Sequence, residues 1–226
     1  MVFRTSRTPS KRASDALGLP SAHEHNDKQN HEKASNKIMA TGANATKVVT
    51  GEVRLSYAHL FEPYSMDGDT DKAKYSCVIL IPKSDRTTLS KLEKARQAAA
   101  EAGKQSKFNG KIPANLHSTL RDGDEEGDLE KNPEYEGHMF MSVSSVGKPG
   151  VVDRALNPIM DSSEVYSGCY ARVSLNAFPY NYMGKKGISF GLNHVQKLRD
   201  GEFLGGRTRA EDDFDALDDE DEDGLL

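Results

Sequence analysis

The segment that most restricts the fold of this chain is residues 170–190, YARVSLNAFPYNYMGKKGISF, in which apolar and polar side chains alternate. Successive side chains of a β-strand point to opposite faces, so the alternation predicts a strand with two different surfaces. One surface is small and apolar and suits a protein core: Ala171, Val173, Leu175 and Ala177. The other mixes rings, a guanidinium and short polar groups: Tyr170, Arg172, Ser174, Asn176, Phe178 and Tyr180. This second surface suits contact with a ligand, or with the rings of a neighbouring strand.

The rest of the chain predicts a small barrel. Strands are expected over residues 47–57, 74–81, 138–145, 169–178 and 187–198. Leucines and alanines at helical spacing predict one helix over residues 87–102, which Gly103 ends. Five strands that do not alternate with helices favour a mainly β, mainly antiparallel barrel with insertions. The five-stranded OB-fold is the natural candidate, and it commonly binds oligonucleotides between the loops that join strands 1 to 2 and 4 to 5.

Both ends of the chain differ in composition from the middle. Residues 1–46 are polar and lack an apolar period, and residues 211–226 contain ten acidic residues and no basic one. Such segments bury too little apolar surface to offset the entropy of ordering the chain. We therefore expect a disordered extension over residues 1–46, one folded domain over residues 47–210 and a disordered acidic tail over residues 211–226.

The net charge of −5 conceals a basic body. The chain has 30 Lys and Arg residues against 35 Asp and Glu residues, and the tail holds ten of those acids. Residues 1–210 therefore carry 30 bases against 25 acids, and a further eight of these acids lie in one run, residues 122–136. A basic surface attracts polyanions, and a flexible acidic tail can occupy the same surface when no polyanion is bound.

Signatures of catalysis and metal binding are missing from the sequence. It has neither the phosphate-loop pattern Gly-x4-Gly-Lys-Ser/Thr nor the zinc-deaminase pattern. The acidic run that starts at Asp122 has Pro133 at the twelfth position, where a calcium loop needs Glu. Cys77 and Cys169 lie in or beside predicted strands and suit buried thiols in a reducing compartment. We expect a protein that is not an enzyme, without cofactor or metal, and no apolar run reaches the roughly 18 residues of a membrane span.

Rings beside cations are the feature that points to nucleic acid. Unpaired bases stack on aromatic faces while Lys and Arg neutralise phosphates, and each stack contributes roughly 1–3 kcal/mol whatever the base. The predicted contact residues are Phe61, Tyr64, Lys74, Tyr75, Lys107, Phe108, Lys111, Tyr170, Arg172, Phe178, Tyr180, Tyr182, Lys185 and Lys186. Core packing is an equal alternative for the rings at positions 75 and 108.

The acidic tail suits two roles. Its tethered charges imitate a short polyanion, so the tail can compete for a basic groove until nucleic acid displaces it. Its apolar residues among acids suit a basic-rimmed pocket on a partner, and a plain solubilising tail is the alternative. The residues assigned to this regulatory tail are Asp212, Asp213, Phe214, Asp215, Asp218, Asp219, Glu220, Asp221, Glu222, Asp223, Leu225 and Leu226.

Several stretches carry a resemblance to a known family. They are RLSYAHLFEP, KYSCVILIPK, the region from LRDGDEEGD to YEGHMFMSVSS, the long block VYSGCYARVSLNAFPYNYMGKKGISFGLNHVQKLRDGEFLGG, and the acidic tail. Through these stretches residues 47–226 resemble the bacteriophage single-stranded DNA-binding proteins of the OB-fold family. The long block is the most specific part of the resemblance.

This resemblance implies a protein that coats and protects single-stranded DNA in phage replication, recombination or repair, in the cytoplasm of the bacterial host. It also implies that the acidic tail limits access to the DNA groove and recruits replication proteins such as a polymerase or helicase, and self-association is a further expectation. Two other functions stay open from the residues alone. One is an acidic interaction or scaffold protein that binds basic proteins without nucleic acid. The other is an RNA-binding OB-fold protein, because stacking on rings does not distinguish the two sugars.

Overall fold

The computed structural model describes residues 45–205, so nearly all of the predicted extension and the whole predicted acidic tail lie outside the described residues. Within residues 45–205 there are nine strands and one long helix. The strands are β1 Lys47–Val49, β2 Val53–Tyr64, β3 Lys74–Pro82, β4 His117–Ser118, β5 Arg121–Asp122, β6 His138–Ser145, β7 Gly150–Val152, β8 Tyr170–Tyr182 and β9 Lys185–Arg199. The helices are α1 Arg86–Gly103 and the single-turn α2 Gly123–Glu126, with short 3-10 helices at Thr70–Lys72, Pro133–Tyr135 and Ser162–Glu164.

Five strands close into a barrel through their backbone pairs. β2 pairs with β3, β3 with β6, β6 with β9, β9 with β8, and β8 again with β2. The pair of β6 with β9 is parallel and the other four are antiparallel. These are the five predicted strands, with short strands added at the edges, so the prediction of a mainly β OB-type barrel with one main helix is confirmed.

The first predicted strand is longer than expected and is broken once. β1 and β2 both pair with β8, and the chain between them passes the start of α1, where a Cβ on Gly51 would lie 2.5 Å from Oδ2 of Asp85. β2 then continues through Pro63 to Tyr64, because the register shifts on either side of His59 leave Pro63 outside the paired positions. Phe61 and Tyr64 lie between the predicted strands 47–57 and 74–81 and were therefore expected in a loop, but they belong to β2, so this prediction is wrong.

The fourth and fifth predicted strands are also longer, because they form one continuous hairpin. β8 runs to Tyr182 and β9 starts at Lys185, joined by Met183 and Gly184, whose φ values are 48° and 81°. Two residues with positive φ make the tight turn that suits the twist of a hairpin. The segment that was expected to be a loop, between the predicted strands 169–178 and 187–198, thus belongs to the paired end of this hairpin. We call this paired end, residues 178–189, the finger.

The inner strand faces and α1 share one apolar core. The four residues predicted to face inwards from strand four are at most 2% exposed, and Leu92, Ala95 and Ala99 of α1 join them. Burial raises the pKa of the Cys77 thiol to about 12, as expected for a thiol in this core. α1 ends at Gly103, where a Cβ would lie 2.5 Å from Pro179, so the glycine lets the helix end meet the finger. No helix among residues 45–205 is long and apolar enough to span a bilayer.

The acidic run, residues 122–136, covers part of the outer face of β3 and β6. Lys83 clamps it, because its ammonium lies 2.5 Å from a carboxylate oxygen of Asp122 and 2.6 Å from one of Asp124. These ion pairs hold the pKa of both carboxyl groups below their usual value. Leu129 and Tyr135 of the run pack with Val78 and Leu80 of β3 and Phe140 of β6 in a small apolar cluster.

Candidate nucleic-acid interface

Two rings of β8 lean over glycines of β9 on the outer face of the hairpin. Phe178 lies opposite Ser189, and Tyr180 lies opposite Gly187. A Cβ on Gly187 would be 2.6 Å from the hydroxyl oxygen of Tyr180, whereas a Cβ on Gly191 would be 3.7 Å from Cε1 of Phe178. The ring of Tyr180 therefore takes its place only because residue 187 has no side chain.

The rings of the finger are open to solvent and sit beside cations. Phe178 is 42% exposed and Tyr182 is 70% exposed, while Tyr180 is half-buried. The Tyr180 hydroxyl lies 2.7 Å from Nδ1 of His117, and the two rings meet edge to face. An open groove here is lined by Asn115, His117, Tyr180, Tyr182, Gly184, Lys185 and Lys186. Because this lining includes no acidic residue, the groove suits an anionic ligand with flat groups.

A second open groove lies farther along β8. Lys47 of β1 pairs with Asn176 of β8, so both face the same side of the sheet. The ammonium of Lys148 lies 5.8 Å from the centre of the Phe61 ring, which is packed against the core. This groove is lined by Lys47, Ser145, Gly147, Lys148, Asn176, Leu192, Asn193 and His194. Its two lysines, again without an acidic residue in the lining, could neutralise phosphates.

Small residues from different strands form a floor next to the second groove. Ser76 of β3 pairs with Ser144 of β6, Ser144 pairs with Gly191 of β9, and Gly191 pairs with Asn176 of β8. Directly paired residues face the same side, so the row curves around the outside of the barrel with short side chains only. We call Ser76, Ser144 and Gly191 the floor. It leaves room for a ligand to lie against the sheet.

A further ring pair lies where the row continues onto β2. His59 pairs with Ser76, and its ring stacks on Tyr64 with centroids 4.3 Å apart and planes 9° apart. Burial lowers the pKa of His59, which favours the neutral imidazole. Tyr64 is 50% exposed and pairs with Lys74, so this predicted ring and cation are side by side. Tyr75 is half-buried opposite Ser145.

Two of the predicted rings are not open for stacking. Phe108 is 2% exposed and packs in the main core, because the chain after α1 turns back at Asn109 and Gly110, both with positive φ. The prediction that it contacts a base is wrong. The ring of Tyr170 lies under the guanidinium of Arg199, 3.4 Å from the ring centre, and Arg54 lies 5.8 Å from the same centre. Its stacking face is already occupied by a cation.

The remaining predicted cations are placed around the finger and along β8. Lys107 and Lys111 are exposed, and the backbone carbonyl of Lys107 accepts a hydrogen bond from the Asn181 side chain, which ties this segment to the finger. Arg172 is exposed and donates from Nε to the carbonyl oxygen of Thr50. The predicted regulatory residues of the acidic tail lie outside the described residues.

Sequence reasoning missed several groove residues, namely Lys47, His117, Lys148 and His194, as well as Ser76 and Ser144 of the floor. The one available signal was the turn VGKPG, where a lysine stands between turn-forming residues with no adjacent acid. Within residues 45–205 no cluster of three or more His, Cys, Asp or Glu side chains is arranged to hold a metal ion.

Comparisons with known proteins show the family to which the chain is similar. Residues 46–225 match the family model described as Enterobacter phage Enc34, ssDNA-binding protein. The putative protein p50 of Acyrthosiphon pisum secondary endosymbiont phage 1 is 32% identical over 186 residues, which cover 80% of this chain and 98% of that protein.

Solved structures agree with the family match. The single-stranded DNA-binding protein from bacteriophage Enc34 in complex with ssDNA is 26% identical, with a TM-score of 0.55 over 71% of this chain and 90% of that chain. Gp2.5, a single-stranded DNA-binding protein encoded by bacteriophage T7, is 18% identical, with a TM-score of 0.50 over 74% of this chain and 91% of that chain. At this identity the similarity supports the fold alone. Because the family model spans most of the sequence and the fold agrees with it, this chain belongs to the OB-fold family of bacteriophage single-stranded DNA-binding proteins that the Enc34 protein represents.

Proposed function

We propose that this protein binds and coats single-stranded DNA through the two grooves and the floor, without catalysis and without preference for base sequence. The observation that carries the proposal is the combination of exposed rings, lysines and short side chains along the outer face of β8 and β9 and on the elements beside it. Rings hold any base by stacking, and lysines contact phosphates, which carry no sequence information. The Enc34 relative, solved in complex with ssDNA, supports single-stranded DNA as the ligand.

Each group has a separate energetic role. Phe178, Tyr180 and Tyr182 offer stacking faces, each worth roughly 1–3 kcal/mol. The lysines of the two grooves neutralise phosphates, and each neutralised phosphate steepens the dependence of log affinity on log salt by about 0.7 on a single strand. The biological setting that we propose is phage replication, recombination or repair in the host cytoplasm, with residues 47–210 as the binding domain.

Alanine substitution of the finger rings tests the stacking role. Tyr180→Ala and Tyr182→Ala should each weaken binding of a labelled oligothymidylate by about 1–3 kcal/mol at fixed salt, measured by fluorescence anisotropy. Tyr57→Ala is the matched control, because Tyr57 is 56% exposed on β2 but hydrogen-bonds to Asn132 of the acidic run and lines neither groove. Unchanged affinity in both finger variants would mean that the stacking platform lies elsewhere.

The same assay separates the ligand classes. Competition by unlabelled duplex and RNA of equal length measures the preference for single-stranded DNA. For a DNA-binding protein, the logarithm of the affinity for DNA also falls linearly with the logarithm of the salt concentration. A protein that binds only basic protein partners does not bind DNA and gives no such dependence.

We also propose that the acidic tail competes with DNA for the two grooves and recruits replication proteins such as a polymerase or helicase. The lysine-lined grooves offer the tail an attractive surface when DNA is absent. Deletion of residues 211–226 should therefore tighten DNA binding, most clearly at low salt, where charge interactions are least screened. A truncated protein that binds DNA more weakly than the full chain would refute the competition.

A further inference from the structure

His117 is fixed against the finger by its backbone. β4, which consists of His117 and Ser118, pairs in parallel with Gly187 and Ile188 of β9. This pairing places the imidazole next to Tyr180, with Nδ1 2.7 Å from the tyrosine hydroxyl oxygen and the ring centroids 6.4 Å apart at 70°. The imidazole is exposed and lines the finger groove.

We propose that His117 positions the Tyr180 ring for stacking and, when it gains a proton on DNA binding, becomes an additional cation of the finger groove. The inference rests on the proposed function, because it needs single-stranded DNA in this groove. His117 positions Tyr180 in both of its protonation states and attracts phosphate in its charged state.

The hydrogen bond to Tyr180 survives a change of protonation. In the neutral ring with its proton on Nε2, Nδ1 accepts the hydrogen bond from the tyrosine hydroxyl. In the imidazolium, Nδ1–H donates to the tyrosine oxygen instead. The ring of Tyr180 therefore keeps its place across Gly187 in both states, and only the charge of the groove changes.

A phosphate in the finger groove couples the proton of His117 to DNA binding. The charged side chains that line this groove are Lys185 and Lys186 of β9, while Tyr180 and Tyr182 come from β8 and Asn115 comes from the loop before β4. A phosphate that enters the groove places a negative charge beside the imidazole, and a nearby negative charge favours the charged form of the ring. The complex then binds more protons than the free protein, so its affinity rises as the pH falls from 8 to 5.5.

Two substitutions separate positioning from charge. His117→Asn keeps an acceptor near Nδ1 but gains no proton, so at pH 8 its affinity for oligothymidylate should stay within about twofold of the unmodified protein. Between pH 8 and pH 5.5, the salt slope of the unmodified protein should steepen by about 0.7 relative to that of His117→Asn, the share of one phosphate contact. His117→Leu removes the hydrogen bond as well, so it should lose affinity several-fold at pH 8.

His138→Asn is the matched control, because His138 lies on β6 opposite Pro82, donates from Nδ1 to the Glu136 carbonyl oxygen, and lines neither groove. It should keep the full pH response. Melting curves at both pH values establish that each variant is folded, and if His117→Leu does not fold, the pH response of His117→Asn still decides the charge role.

Three results would overturn the inference or its basis. A His117→Asn protein with the pH response of the unmodified protein would refute the charge role. A folded His117→Leu protein that binds as tightly as the unmodified protein at pH 8 would refute the positioning role. Failure of the unmodified protein to bind single-stranded DNA at either pH would instead overturn the proposed function, and the inference with it.

Discussion

Replacement of Gly187 by alanine tests whether the space under Tyr180 is required for DNA binding. The new Cβ would lie 2.6 Å from the tyrosine hydroxyl oxygen and 2.7 Å from Cζ, and 2.7 Å from the backbone oxygen of His117. A Cβ does not approach other heavy atoms this closely, so the Tyr180 ring must move from its place across β9, and the backbone of β4 must also shift away from the contact with the His117 oxygen. The loss of one stack, roughly 1–3 kcal/mol, corresponds to about a 5- to 140-fold weaker affinity.

Fluorescence anisotropy with oligothymidylate over a series of salt concentrations distinguishes this steric effect from a charge effect. Gly187→Ala removes no cation, so the curve of log affinity against log salt should shift down without a change of slope. Tyr57→Ala, which lines neither groove, is the control for this series and should match the unmodified protein in both affinity and slope.

The double variant Gly187→Ala/Tyr180→Ala completes the test. If the alanine acts by moving the ring, it should add little to the effect of Tyr180→Ala, because the ring is already gone. Additive losses would show that Gly187→Ala acts through the backbone of β4 and β9. A folded Gly187→Ala protein with unchanged affinity would refute the stacking role of Tyr180.

Two further predictions concern lysines. The double variant Lys47→Gln/Lys148→Gln should weaken DNA binding and reduce the salt slope by up to about 1.4, two phosphate contacts, whereas Lys94→Gln on the exposed face of α1 should leave the slope unchanged. Lys83→Met should lower the midpoint of urea unfolding at pH 7, because it removes the partner of two carboxylates whose pKa values are depressed in the folded protein. Depressed carboxyl pKa values stabilise the fold above the unfolded pKa near 4 and cease to do so as the pH falls through the folded values. The midpoints of the two proteins should therefore differ at pH 7 and converge as the pH falls well below 4, and equal midpoints at pH 7 would show that the ion pairs of Lys83 do not stabilise the fold.

Local alternation was sufficient to predict the core face of β8, because the two-residue period of a strand depends on nothing beyond the strand itself. The length of the hairpin was not predictable in the same way. Pro179 is an ordinary strand-ending signal, but here it lies in β8 opposite Ile188 and contacts the end of α1 at Gly103. Only the packing of a distant helix and the tight turn at Gly184 make the longer hairpin favourable.

The rings that were assigned wrongly fail for a similar reason. Phe108 is preceded by a lysine and followed by a lysine three residues later, which is the same local pattern as the exposed finger. Its burial depends on the turn at Gly110, which returns the ring to the core. The face of Tyr170 is covered by guanidinium groups from β2 and β9, and no feature of the sequence around it indicates those partners.

The floor shows where the limit of sequence reasoning lies. Serine and glycine are common in any strand, so Ser76, Ser144 and Gly191 give no signal one at a time. They indicate a binding surface only when taken together, because the direct pairs between β3, β6 and β9 align them in one row. A longer side chain at any of the three positions would occupy the space in which we place the DNA strand. The tolerance of base sequence that we propose follows from the short side chains at these positions, since a surface that offers few side-chain donors or acceptors has little with which to distinguish one base from another.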